Sequence, residues 1–187
     1  MNILLHICCS NCALYPVKIL KSEGHDFHGF WFNPNIHPVE EYSLRLDSLM
    51  KLKKDWDINI SSIEEYEPEE YFNLFEITNP PSPERCKSCY RLRLEKTAGH
   101  AQRNGFDAFT TTLLISPYQD FENILIIGEE LADKYNIAFY INDFRPYFRD
   151  AMALSKELGL YRQKYCGCIF SKEETKSNKN KAKVKSI

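Results

Sequence analysis

Ile3-Leu4-Leu5-His6-Ile7-Cys8-Cys9-Ser10-Asn11-Cys12 decides how the chain is read. A short apolar run stops abruptly at three cysteines within five positions. The run predicts a buried strand, and Ala13 to Leu20 after it predicts a helix. A thiol cluster at a strand-to-helix turn stands where α/β proteins place chemistry. The other cysteines fall into two tight pairs, Cys86/Cys89 and Cys166/Cys168. The expectation is that the fold brings all three groups onto one metal centre.

Outward from this stretch, strands and helices alternate. His28 to Asn33, Ile58 to Ile63, Ala108 to Leu114 and Ile137 to Ile141 predict four further strands. Glu40 to Trp56, Glu84 to Asn104, Glu122 to Tyr135 and Asp150 to Leu158 predict helices, with Gly105 and Gly159 as stops. Glu64 to Ser82 is acidic and ends in Asn79-Pro80-Pro81-Ser82-Pro83, so it reads as a loop with one helical turn near Tyr71 to Phe75. This order implies parallel βαβ units: a single-domain α/β protein with a doubly wound, five-stranded parallel sheet covered on both faces. The catalytic domain is expected over residues 1–170, with a lysine-rich flexible tail over 171–187. The P-loop and dinucleotide glycine patterns are absent.

The bulk numbers suit a soluble domain: 187 residues, 43% apolar and 27% charged. No run is long enough to cross a membrane, and the N-terminus lacks a signal-peptide pattern. A cytoplasmic setting is therefore expected. In a reducing cytosol, seven cysteines point to metal ligation or redox chemistry before a disulfide framework. Net charge is −2, but six lysines and two glutamates after Ser171 carry a local +4, leaving about −6 on the rest. Arg85, Lys87, Arg91, Arg93, Lys96 and Arg103 surround the second cysteine pair. Arg145, Arg149, Lys156, Arg162 and Lys164 precede the third.

Each group has an ordinary reading beside the chemical one. A cysteine packs well as a small buried apolar residue, though three in five positions at a helix N-terminus favour ionised, metal-ligating thiols. Cys86-Lys87-Ser88-Cys89 alone suits half a zinc site, a redox pair or part of a cluster ligand set. Zinc and a cubane iron–sulfur cluster each use four ligands. Either leaves three thiols for a second metal, with Asp120 or another oxygen ligand, or for a redox relay. His6 reads equally as a core histidine, and Asp120 as a helix cap. The arginines suit an ordinary solvated face. Their neighbours Tyr90, Tyr147, Phe148, Tyr161 and Tyr165 also suit RNA, which is bound through phosphates and stacking.

Four stretches carry a family resemblance: His6-x-Cys8-Cys9-x-x-Cys12; Arg85-Cys86-x-x-Cys89-Tyr90-x-x-Arg93-Leu94; Ile115-Ser116-Pro117-Tyr118; and Gly159-Leu160-Tyr161-Arg162-Gln163-x-Tyr165-Cys166-Gly167-Cys168. Together they resemble the QueH-type, cobalamin-independent epoxyqueuosine reductases. The resemblance implies an adenine-nucleotide α-hydrolase-like (HUP, Rossmann-like) fold in which a cysteine motif replaces the ATP loop. It implies reduction of the epoxide of epoxyqueuosine to queuosine, on tRNA with a GUN anticodon. The implied cofactors are a [4Fe-4S] cluster and an additional mononuclear metal, iron. An unidentified electron donor is implied, and no membrane. Cys8, Cys9, Cys86, Cys89, Cys166 and Cys168 become candidate cluster-binding residues, and all seven, Cys12 included, candidate metal ligands. Which four hold the cluster stays open. Epoxide removal needs protons, for which Asp120, Tyr118, His6 and Tyr165 are the candidate catalytic donors. The rival readings are a structural zinc RNA-binding protein, a thiol–disulfide oxidoreductase and an ATP-dependent tRNA thiolase. The missing phosphate loop argues against the last.

Overall fold

The apolar opening run becomes the middle of the sheet. A computed structural model describes residues 1–75 and 81–174. In chain order it contains β1 (Asn2–His6), α1 (Ser10–Ser22), β2 (Asp26–Trp31), α2 (Val39–Trp56), β3 (Ile60–Ile63), α3 (Pro68–Phe72), α4 (Ser82–Arg103), β4 (Ala108–Thr111), α5 (Phe121–Tyr135), β5 (Ala138–Phe139) and α6 (Phe148–Glu157). The sheet order is β3-β2-β1-β4-β5, and every neighbouring pair is parallel. The chain thus runs outward from β1 to β3, then crosses to β4 on the other side. The carboxyl end of β1 is the topological switch point, where open α/β sheets leave a crevice. Cys8 stands there.

Alternation along β1 explains its central place. Ile3, Leu5 and Ile7 point to one face and pack with Leu14, Val17, Trp31, Leu49 and Leu52 from α1, β2 and α2. Leu4 points to the other and packs with Phe30, Phe109, Leu94, Ile124 and Ile127, under α4 and α5. Burying apolar residues on both faces is what a parallel sheet requires. The apolar run ends at the thiol of Cys8, just past the strand. Among the described residues, no helix is long and apolar enough to cross a membrane.

Several boundaries differ from expectation. β4 stops at Thr111, not Leu114, because the Thr111 hydroxyl caps Leu113 N at 3.1 Å and turns residues Thr112–Ile115 into a 3₁₀ segment. β5 is cut to Ala138–Phe139, although Tyr140 N still reaches Phe109 O at 2.9 Å. β3 begins at Ile60, beside a register shift at Gly29/Phe30. The turn expected at Tyr71 to Phe75 is α3 followed by a 3₁₀ segment, Asn73–Phe75. Residues 169–174 are helical, so regular structure continues past 170; the tail from 175 on lies outside the described residues.

α5 approaches β5 closely at Gly128. A Cβ there would lie 2.2 Å from Phe139 Cε1. Alanine would add about 1 kcal/mol of helix propensity, while overpacking costs about 1–3 kcal/mol. Gly128→Ala is therefore expected to lower the urea midpoint of unfolding. A raised midpoint would contradict the close approach.

Candidate metal centre

Cys9 is the N-cap of α1: its extended backbone turns the chain, and its Sγ accepts from Cys12 N at 3.4 Å. Helical spacing then returns Cys12 to the same end. The Sγ atoms of Cys8, Cys9 and Cys12 all lie within 4.8 Å of one another. The turn after β4 completes this corner, with Thr112 Oγ1 accepting from Cys8 N at 3.0 Å and donating to Cys8 Sγ at 3.2 Å.

The charge distribution is uneven. Hydrogen bonds from the Cys12 and Cys9 thiols, with help from Thr112, hold Cys8 well below the usual thiol range despite its burial. Cys12 donates to Cys9, but the bond to Cys8 and burial leave Cys9 pushed up to about 12. Its bonds to Cys8 and Cys9 push Cys12 up as well. Cys8 is thus the most easily ionised of the three thiols. Thiolate is the metal-binding form, and further thiol protons are released when metal binds.

Cys89 and Cys168, from the second and third cysteine groups, pack together with Tyr71 and Phe75. Cys168 Sγ lies 3.0 Å from the Tyr71 hydroxyl. The hydrogen bond from Cys168 lowers Cys166 to about 5, and the same bond raises Cys168. Burial pushes Cys89 up to about 11. Tyr71 feels the charges of Cys89, Cys168 and Cys166, so these thiols share its neighbourhood. Cys86 lies one turn from Cys89 on α4, with its Sγ 3.6 Å from Ser82 Oγ. All seven cysteines are free thiols. Among the described residues, only the first trio brings three such donors within 4.8 Å. Cys86 packs against the same core as Cys9 and Cys12, while Cys89 packs with Cys168. Cys9, Cys12, Cys89 and Cys168 are buried, Cys8 and Cys86 half-buried and Cys166 exposed; an all-sulfur donor set of this kind fits a soft thiolate-bound metal group, iron–sulfur or zinc.

The strap from Leu160 to Cys168 is held over the site by α1 and α2. Gln163 Nε2 donates to Cys9 Sγ at 3.0 Å. Asn11 Nδ2 donates to Tyr161 O at 2.9 Å and to Gln163 Oε1 at 3.1 Å. Buried Arg45 binds Glu41 at 2.8 Å, Cys166 O at 3.0 Å and Tyr165 O at 3.0 Å. Gly167 has φ +115°, and a Cβ on it would lie 3.0 Å from Ile36 and 3.1 Å from Arg45. Only glycine fits that backbone without strain. Gln163 belongs to the closing stretch that carries the resemblance; Glu41 and Arg45 were not singled out by sequence, and their i, i+4 spacing was the one visible sign.

The four candidate proton donors part company. His6 is fully buried, its Nδ1 2.8 Å from Thr111 Oγ1 and its Nε2 3.2 Å from Phe32 O. Burial and the Arg93 cation lower it to about 4. It has the contacts of a core histidine. The Tyr165 hydroxyl donates to His37 O. Asp120 is the N-cap of α5, accepting from Asn123 N at 3.2 Å. Tyr118 is 82% exposed, and its hydroxyl has no partner among the described residues.

The basic residues also divide. Arg85 and Arg93 are buried, Arg91 pairs with Glu130, Lys96 with Glu70 at 3.7 Å and Arg145 with Asp143 at 2.7 Å. Arg149, Arg162 and Lys164 are exposed and, among the described residues, without an ion-pair partner.

A parallel sheet of order 3-2-1-4-5 with a cysteine trio able to hold a metal in place of a phosphate loop defines a protein of the adenine-nucleotide α-hydrolase-like fold. Two solved structures share that fold. One is the U34-tRNA thiolase NcsA from Methanococcus maripaludis with its [4Fe-4S] cluster (TM-score 0.60, 14% identity, 91% of this chain and 61% of that one). The other is a predicted subunit of tRNA methyltransferase from Methanocaldococcus jannaschii (TM-score 0.55, 14% identity, 84% and 75%). The family model described as epoxyqueuosine reductase QueH matches residues 3–174. Proteins named epoxyqueuosine reductase QueH from Dehalococcoides mccartyi and Thermotoga maritima are each 34% identical, over 92% and 91% of this chain and 93% and 90% of their own. The chain belongs to the epoxyqueuosine reductase QueH family, an oxidoreductase family acting on tRNA.

Arg45→Met removes the cation from buried Glu41 and frees two strap carbonyls. Breaking one side of a buried pair costs about 3–5 kcal/mol, and a loss of that size is expected from urea unfolding. A loss below about 1 kcal/mol, the range of an exposed pair, would contradict the strap's dependence on Arg45.

Proposed function

We propose that the chain reduces the epoxide of epoxyqueuosine in tRNA with a GUN anticodon, in the cytoplasm, with a [4Fe-4S] cluster and an adjacent iron ion held by its thiols. The observation that carries this is the Cys8/Cys9/Cys12 trio gathered at the switch point, in a chain of this family. Those three thiolates supply three of the four sulfur ligands a cubane uses. The fourth comes from Cys86, Cys89, Cys166 or Cys168, and the remaining thiols are left for the adjacent ion. Iron so bound supplies single electrons and a Lewis-acid position for oxygen.

Conversion of the epoxide to an alkene takes two electrons and two protons and releases one water. The electrons come from an external reduced donor. Reaching buried thiols requires the modified base to leave the anticodon stack. Lys87, Arg103, Arg149, Lys156, Arg162 and Lys164 are exposed and, among the described residues, without an ion-pair partner, so they are free to hold the flanking phosphates. Of the four candidate proton donors, His6, Tyr165 and Asp120 are committed to the fold. Tyr118 alone offers an unengaged hydroxyl, on the segment that follows the Thr112 corner, so this reading assigns it to meet the substrate.

The test is anaerobic reconstitution, chemical reduction and incubation with epoxyqueuosine-containing tRNA, followed by nucleoside mass analysis. Conversion to queuosine, one oxygen lighter, is expected. A colourless chain holding zinc without sulfide, and inactive on that tRNA, would sink the proposal. Cys12→Ser is expected to lose acid-labile sulfide and activity together; a full iron and sulfide complement in that variant would remove Cys12 from the ligand set. Tyr118→Phe is expected to keep its iron and lose about 10²-fold or more in single-turnover rate, the scale of general acid catalysis. A wild-type rate would remove Tyr118 from proton transfer.

A further inference from the structure

Among the described residues, three arginines are buried: Arg45, Arg85 and Arg93. Arg45 has Glu41 at 2.8 Å, and Arg85 has Glu174 at 2.7 Å. Arg93 is 4% exposed, and among the described residues no carboxylate lies within ion-pair distance of it. Its Nε donates to Cys89 O at 3.3 Å, a neutral acceptor. An interior charge without an opposite one costs several kcal/mol. The chain therefore keeps a guanidinium where something else must be negative.

The surroundings say what that is. Arg93 lies one helical turn after Cys89 and two after Cys86, so α4 presents all three on one side. Burial would lower the pKa of Arg93, but Cys89, Cys8, Tyr90 and Cys166 together raise it.

We propose that Arg93 is the fixed counter-cation of the thiol centre beside Cys86 and Cys89, a positioning residue that stabilises the anionic metal–thiolate group and raises its reduction potential. This rests on the reading that the thiols carry an iron–sulfur centre. Cluster potentials follow net charge and local hydrogen bonding. Adding an electron makes the centre more negative, so a nearby cation favours the reduced state. A guanidinium suits the role because it stays charged in a dry site and offers five donors in a fixed plane.

Wild-type, Arg93→Gln and Arg93→Lys chains are reconstituted anaerobically, iron and sulfide are counted, and midpoint potentials are read by EPR-monitored titration. At fixed potential, Arg93→Gln is expected to shift the reduced-to-oxidised ratio at least tenfold toward oxidised, about 59 mV for a one-electron couple. Arg93→Lys keeps the charge and is expected to stay near wild type. A loaded Arg93→Gln chain with the wild-type midpoint overturns the proposal. If Arg93→Gln does not fold, Arg93→Lys decides: a folded, loaded chain near the wild-type midpoint supports it. A Lys variant that shifts tenfold, or also fails to fold or load, shows that charge is not what the position supplies. A wild-type chain that takes up no sulfide overturns the iron–sulfur reading itself, and that failure appears before any variant is compared.

Discussion

Negative charge on sulfur cannot be held in a protein interior without compensation, and the chain around Cys8 is arranged to supply it. The first turn of α1 supplies free N–H groups and the positive end of a helix dipole. Thr112 donates a hydroxyl at 3.2 Å. Cys9 and Cys12 share protons with the Cys8 sulfur. Arg93 supplies a full charge nearby. They come from three segments: the start of α1, the turn after β4 and α4. The sheet topology matters because only its switch point brings those segments together.

The same constraint explains the closing strap. Cys166 and Cys168 are distant in sequence from the N-terminal trio. They return to it because Leu160 packs beside α1 and α2 and because Arg45, Asn11 and Ser48 bind the strap's backbone. Gly167 permits the tight reversal between the two cysteines. Fold and site are therefore not separable here, since the strap's backbone hydrogen bonds are also what position the second thiol pair.

Much of this was legible from residues. Alternating apolar runs gave five strands and their parallel order, and the stop at Cys8 marked the site. Boundaries that depend on tertiary hydrogen bonds were not visible. The Thr111 cap that ends β4 and the two-residue β5 are of that kind, because local propensity alone favoured longer strands. Cysteine spacing showed three groups but not how closely they adjoin, which is a matter of where α4 and the strap pass. Basic residues clustered near the cysteines looked alike in sequence. Burial separates them: Arg85 and Arg93 serve the interior, while Arg149, Arg162 and Lys164 remain on the surface. His6 and Asp120, offered as chemistry or as structure, have the hydrogen bonds of structural residues.

The central claim is that these compensated thiols bind iron as a sulfur-bridged cluster. Iron K-edge X-ray absorption on the anaerobically reconstituted chain tests it most directly. The account predicts a first shell dominated by sulfur together with iron–iron scattering. A first shell of oxygen and nitrogen without iron–iron scattering would contradict it.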